Sequence, residues 1–436
     1  MSFQQGLSGL KGASKSLDVT GNNVANASTV GFKLSQTQFA DLYANSMNRS
    51  GSSLAGIGVM VANVWQSFSQ GNITMTNNPL DIAINGDGFF RMQANLDDAA
   101  PMYGRNGQFQ LDKNGYIINP SQRGAYLTGW PGTIKGGDPM PMRINTANVP
   151  ATTTDKIETK LNLDSRLPVP KVAPFSFSDT TTYNNTTGVT VYDSLGNSYN
   201  VQTYYVKSPV TTATPPGTST DTTTDWDVYT TIDGVPYPPI PAGSIIQDKV
   251  GTLTFDTNGF LINTQPGDNT LPPDVITLHL PPKPGAMFTA DGITLSYSGT
   301  TQTASPFTPL AQSQNGKSPG VLSTFIVDKD GLITGNYSNG DTQTLGQLLL
   351  VNFANPNGLQ PLGNNLYIVS PDAGEPLIGK PTTGQFGTLT GRAVEDSNVD
   401  LTTELVNMIV AQRVYQANAQ TIKVQDAVLQ TLVSIR

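Results

Sequence analysis

The sequence predicts a multidomain α+β protein, with paired terminal α-helices forming a coiled-coil-like inner domain and nested, mainly-β domains outside it. Three observations predict this. Apolar residues recur at helical spacing at both ends of the chain, and 43 glycines and 31 prolines punctuate short alternating runs between them. Only 13 % of the residues are charged, against roughly 25 % in an ordinary soluble domain.

At the N-terminus Phe3, Leu7, Leu10, Leu17 and Val24 recur at helical steps, with Ser14 and Gly21 at the intervening positions. At the C-terminus Leu401, Leu405, Met408, Tyr415, Ala419, Ile422 and Leu429 form a similar stripe, and Val410, Val414, Val424 and Val428 form a second beside it. A helix from Asp400 to Arg436 would be about 55 Å long and, with two apolar stripes, needs covering on most sides. Either the two ends pair with each other, or many copies join in a bundle through these residues as a polymerisation seam. Composition supports the bundle. Between Leu401 and Arg436 only Glu404, Arg413, Lys423, Asp426 and Arg436 are ionised, and amides such as Asn407, Gln412, Asn418 and Gln425 fill much of the rest. Uncharged amides exchange hydrogen-bond partners without stranding a buried charge.

A length of 436 residues accommodates two to four domains, and 37 % hydrophobic content suffices for their cores. The net charge of -8 argues against binding nucleic acid or an anionic membrane, which need a basic surface. No run approaches the roughly 18 apolar residues of a membrane span, and no cysteine is present for disulfide or thiol chemistry. The start, Met1 to Gly6, lacks the basic and apolar regions of a cleaved signal peptide, so the expected route out of a cell is one that reads none.

The middle of the chain repeats one turn pattern at Leu111 to Ile117, Phe255 to Leu261 and Val327 to Ile333. Each centres on Asn-Gly or Asp-Gly, which tolerate the positive φ of a hairpin turn, so hairpins are expected rather than calcium loops. Residues 210 to 224 are low-complexity and suit a long exposed loop. Composition places an inserted outer β-domain at 149–315 and a discontinuous β-domain at 73–148 and 316–390. The helical inner domain takes 1–24 and 391–436, and 25–72 forms a joining segment.

No catalytic, cofactor-binding or metal-binding residues are predicted. The one histidine, His279, sits in an apparent strand. Gly316-Lys317-Ser318 imitates the end of a phosphate-binding loop, but Ala311 replaces its first glycine and Pro319 follows where a helix should begin.

A specific motif follows the first helical run: Gly21-Asn22-Asn23-Val24-Ala25-Asn26-Ala27-Ser28-Thr29-Val30-Gly31-Phe32-Lys33. It resembles the signature of the bacterial flagellar rod and hook proteins, carried by Asn22, Asn23, Ala25, Asn26, Thr29, Gly31, Phe32 and Lys33. Read locally, Gly21 to Asn23 would stop the helix and Gly31 would let the chain turn. Ile82 to Phe90, Glu395 to Leu401 and Ala411 to Ala419 are similar to other segments of that family. Ser397 or Asn398 would cap the last helix, with Asp400 and Glu404 favouring its positive end.

Within the family, an insertion of about 165 residues, placed by composition, points to a hook subunit rather than a distal rod subunit. The resemblance implies an inner tube of terminal helices with β-domains outside, and a flexible curved tube that passes motor torque to the filament. It also implies a homopolymer whose partners are the distal rod, the hook cap, the hook–filament junction proteins and the flagellar type III export apparatus. The implied location is the flagellar hook, outside the cell. Phe39 to Tyr43 resembles an aromatic export-gate element, with Phe39 and Tyr43 as its aromatic residues; one turn of packed helix is the other reading. The remaining alternatives are a rigid distal rod subunit and a secreted β-rich adhesin.

Overall fold

In the computed structural model, residues 2–42, 58–96, 100–132, 136–209, 211–212, 222–240, 246–265 and 274–434 are described. They divide into two compact units. One comprises Met1–Thr146, Ser323–Asn336 and Thr342–Arg436, and the other Ala147–Leu322 and Tyr337–Asp341.

The first unit begins with helix α1, Ser2–Ala25, and ends with helix α2, Leu401–Ser434. They run antiparallel, because Asn23 near the end of α1 bonds Glu404 near the start of α2, while Gly6 lies against Ile422. After α1 the chain makes strand β1, Ser35–Leu42, which pairs antiparallel with β2, Gly58–Gln66, in a ribbon with a bulge between Gln38 and Phe39. Phe39 therefore lies on a strand, which corrects the alternative of a helical turn; Tyr43 falls outside the described residues. Most of the low-complexity stretch at 210–224 falls outside them as well.

The body of this unit is a 13-stranded sheet among the described residues. Its pairings join chain from before and after the insertion: Ala125–Pro131 pairs with Thr342–Leu348, Phe89–Gln93 with Leu350–Asn352, and Pro101–Gly104 with Leu366–Ile368. Phe89, Tyr103, Phe353 and Tyr367 pack edge-to-face in its core, with Phe68 against them. Two short ladders bring the C-terminal chain back to α2: Ile82–Asn85 pairs with Thr388–Gly391, and Ile73–Met75 with Ala393–Glu395.

The second unit has a five-stranded and a seven-stranded sheet around one core. Trp226, Tyr205, Tyr297 and Phe255 are its largest fully buried side chains. Burial pushes the Tyr205 hydroxyl up to about 12.

All three Gly-centred turns connect neighbouring strands. Gly115, Gly259 and Gly331 adopt φ of 84°, 83° and 79°. Asp112 and Asp256 each spend a carboxylate oxygen on two backbone N–H groups within the turn. His279 is exposed just beyond strand Val275–Leu278, and Lys317 exchanges backbone hydrogen bonds with Thr152.

Candidate functional site: the helix pair and the clamp at its root

The motif after α1 does not stop the helix where the sequence suggested. α1 continues through Gly21, Asn22 and Asn23 to Ala25, and none of these takes a positive φ. The reason lies in side chains with distant partners. Asn23 is buried; its amide donates to the Ser35 carbonyl (2.7 Å) and to Glu404 Oε2 (2.8 Å), and its oxygen accepts from Ser35 N–H (3.0 Å). The turn comes later, where Asn26 Nδ2 bonds Asn22, and Thr29 Oγ1 bonds Asn26. Gly31 then takes φ 72°, and a Cβ there would lie 2.7 Å from Asn106 N, so close approach and backbone conformation both require glycine.

Beyond Gly31 the chain enters a buried ionic cluster. Glu395 is fully buried, and its Oε1 accepts from Lys33 Nζ (2.7 Å), Arg105 Nη1 (3.3 Å) and Gly71 N–H (2.9 Å). Its backbone carbonyl accepts from Gly31 N–H at 2.8 Å. Lys33, 1 % exposed, also donates to the Ser69 carbonyl, and Arg105 donates to the carbonyls of Gly86 and Gly88. Burial, reinforced by the charge of Arg105 and opposed by Glu395, pushes the Lys33 ammonium down to about 8. Phe32 is buried beside this cluster, while Asn22 and Ala25 are exposed.

The start of α2 departs from expectation in two ways. The N-cap is Asp400, whose Oδ1 accepts from the N–H groups of Thr402 and Thr403 and whose carboxyl is held below the usual range by those bonds. Asn398 instead bonds Leu34 N–H and the Ser67 carbonyl, tying the root of α2 to the ribbon. Glu404, read in the sequence as a charge favouring the helix start, is buried and shared between Asn23 and Asn407.

The two helices meet through small and polar residues. Gly6, Gly12, Ala13, Val19, Thr20 and Asn23 are the buried positions of α1, and a Cβ at Gly9 would lie 2.5 Å from Asn418 Oδ1. On α2 the covered positions are Glu404, Met408, Ala411, Asn418, Ala419, Ile422 and Gln425, at steps of three, four or seven residues apart from the adjacent pair Asn418 and Ala419. Of the expected seam, Met408, Ala419, Ile422, Leu10, Leu17 and Val24 are partly covered within the chain. Phe3, Leu7, Leu401, Leu405, Tyr415 and Leu429 are exposed, as are Val410, Val414, Val424 and Val428 of the second stripe. The Gly6 and Gly9 contact was missed because glycine carries no hydrophobic signal. Glu404 had one: a charge among the amides and aliphatic residues of α2 points to a buried partner.

Two long helices with uncovered apolar faces, rooted in a β-body by a buried clamp, define an assembly-forming structural subunit. Comparison with known proteins specifies the class. Residues 3–33 match the model described as flagella basal body rod protein, and 83–159 match the flagellar hook protein FlgE/F/G D1 domain. Residues 162–317 match the flagellar basal body protein FlaE D2 domain, and 391–435 the flagellar basal body rod FlgEFG protein C-terminal model. The chain is 40 % identical over 445 residues to flagellar hook protein FlgE of Escherichia coli K12, with all of both chains covered. It is 31 % identical to flagellar hook protein FlgE of Treponema pallidum, covering all of this chain and 99 % of that one. A crystal structure of Helicobacter pylori flagellar hook protein FlgE2 aligns with TM-score 0.48 and 14 % identity, over 74 % of this chain and 100 % of that one.

The chain belongs to the flagellar hook protein family and is a structural subunit of the bacterial flagellar hook. The distal rod and adhesin alternatives are not favoured by these full-length matches.

Replacing Glu395 with Ala leaves Lys33 and Arg105 buried without their anion, and is expected to cost about 3–5 kcal/mol in urea unfolding. Lys33→Met, which leaves the Glu395–Arg105 pair intact, should cost clearly less. The lowered Lys33 pKa also sets a pH dependence. Between about 8 and the unfolded value of 10.5 the unfolded chain holds the Lys33 proton and the folded chain does not, so this group's contribution rises with pH in that window. Wild-type stability measured relative to Lys33→Met should accordingly increase from pH 8 to 10.5.

Proposed function

We propose that the subunit polymerises through its terminal helices into a curved tube that bends continuously while passing motor torque to the filament, a universal joint. The observation that carries this reading is the exposed apolar surface of both helices. Phe3 and Leu7 on α1, and Leu405, Ile409, Val424 and Leu429 on α2, stand uncovered in the single chain. Each large apolar side chain gains about 1.5–3 kcal/mol when covered, enough to drive assembly when many are covered at once.

The flexible part of the reading rests on composition. With 13 % charged residues, contacts between outer surfaces would exchange neutral partners as each subunit passes between the compressed and extended sides. The role is mechanical, with no catalytic chemistry assigned. By family resemblance the partners are further copies of the chain, the distal rod, the hook cap and the hook–filament junction proteins. Delivery outside the cell would run through the flagellar type III export apparatus, with Phe39 and Tyr43 read on the unfolded chain.

Leu405 separates assembly from folding because it is 44 % exposed. Leu405→Asp should leave the monomer's melting transition unchanged while raising the concentration needed to polymerise by about 100-fold, taking about 3 kcal/mol for a charge left in the seam. Normal tubes in electron micrographs of this variant would exclude Leu405 from the seam. Ile422→Asp should also loosen the α1–α2 pair, since Ile422 lies against Gly6. Deleting 149–315 should yield a straighter or stiffer polymer, and curvature equal to that of the intact chain would count against the joint mechanism.

A further inference from the structure

Between α1, α2 and the ribbon lies a groove of about 800 Å³. Its floor is α1 from Gln5 to Thr20, a length of about 22 Å at 1.5 Å per residue. One wall is α2 from Glu404 to Asn418, and the other carries Thr37, Phe39 and Val59. Phe39, Val410 and Val414 stand exposed on these walls. Glu404 is the ionised side chain in the lining, and its oxygens are already occupied by Asn23 and Asn407. The groove therefore carries no free charge, and its apolar side chains alternate with neutral hydroxyls and amides such as Thr37, Gln36 and Asn418.

A second uncovered surface lies on the same helix. The antiparallel register places Gly9 at Asn418 and Gly6 at Ile422, so α1 begins level with about residue 425. The last turns of α2, up to Ser434, thus run past the start of α1. Val424, Val428 and Leu429 are exposed on or beside this projecting end. Its ionised residue Asp426 accepts a hydrogen bond from Gln430 Nε2 and lies about 200° around the helix from both Val424 and Val428, so its charge is on the side away from them.

We propose that the groove receives the projecting end of α2 from a second copy of the chain, in a head-to-tail contact. This rests on the polymer reading above and specifies which surfaces meet. The two surfaces cannot meet within one chain, because Val414 and Val428 are about 21 Å apart along a single helix. Neither strands a charge when covered, so joining them removes apolar area from water without an ionic penalty. About two turns of projecting helix fit within the groove's length. A contact between unlike surfaces also leaves one of each free on every pair, which propagates an open polymer, whereas two projecting ends that met each other would stop at a dimer. In this arrangement Phe39 is a wall of the groove in the assembled protein.

The natural chain has no cysteine, so introduced thiols report without background. Val428→Cys is combined with Val414→Cys and, in a separate chain, with Phe39→Cys; full-length polymers of each are treated with a short thiol-reactive cross-linker and dissolved in detergent. The expected result is a ladder at multiples of 46.3 kDa from at least one double variant, with Val428→Cys alone remaining monomeric. Polymers that yield no ladder from either pair would overturn the proposal, as would a discrete dimer from Val428→Cys alone. Failure of the unsubstituted chain to form any polymer would instead remove the reading on which the proposal rests.

Discussion

One buried carboxylate holds the root of both terminal helices. Glu395 gathers Lys33, Arg105 and the backbone of Gly71 on its side chain, and Gly31 on its carbonyl. These residues come from the turn after α1, the chain after the ribbon, the β-body and the lead-in to α2. Burying three ionised groups is costly, and the cost is met only when all of them are paired and their remaining donors satisfied. Lys33 completes its set on Ser69, and Arg105 on Gly86 and Gly88. A partly formed cluster is penalised, so the segments are expected to settle together. The directions in which α1 and α2 leave the β-body follow from that arrangement, reinforced by Asn23 with Glu404 and by Asn398 with Leu34.

Below the clamp, the helices approach through Gly6 and Gly9 rather than through leucines. Close backbone approach uses up the small residues and leaves the large ones facing outwards. On the proposed assembly, a chain whose helices joined through Leu405, Ile409 and Leu429 would hide the surface offered to neighbours. The division is physical: small and amide side chains lie between the helices, and large aliphatic side chains stay exposed.

The parts legible in the sequence were those set by local periodicity or local turn chemistry. α2 was visible because its apolar pattern persists from Leu401 to Leu429, and the hairpins because Asn-Gly and Asp-Gly demand one kind of turn. Asn23 was misread as a helix stop because its partners, Ser35 and Glu404, are not visible at short range. The same limit hid the capping role of Asp400, since Ser397 or Asn398 was read as the cap and the claim of Leu34 on Asn398 is not visible at short range. The second unit was illegible in detail because its pairings are distant: Lys156–Asp164 runs parallel to Ile293–Ser296 and Thr301–Thr303, across more than a hundred residues of chain. Of the family motif, Gly31 and Lys33 bond Glu395 in the clamp and Asn23 bonds Ser35 and Glu404, while Asn22, Asn26 and Thr29 build the turn between them.

The central claim is that the exposed faces of the terminal helices build the tube and the β-bodies alone do not. Electron microscopy of the full-length chain, beside a chain lacking 1–24 and 401–436, tests it most directly under conditions that favour polymerisation. The account predicts tubes from the intact chain and folded monomers from the trimmed one. Tubes of normal length from the trimmed chain would contradict it.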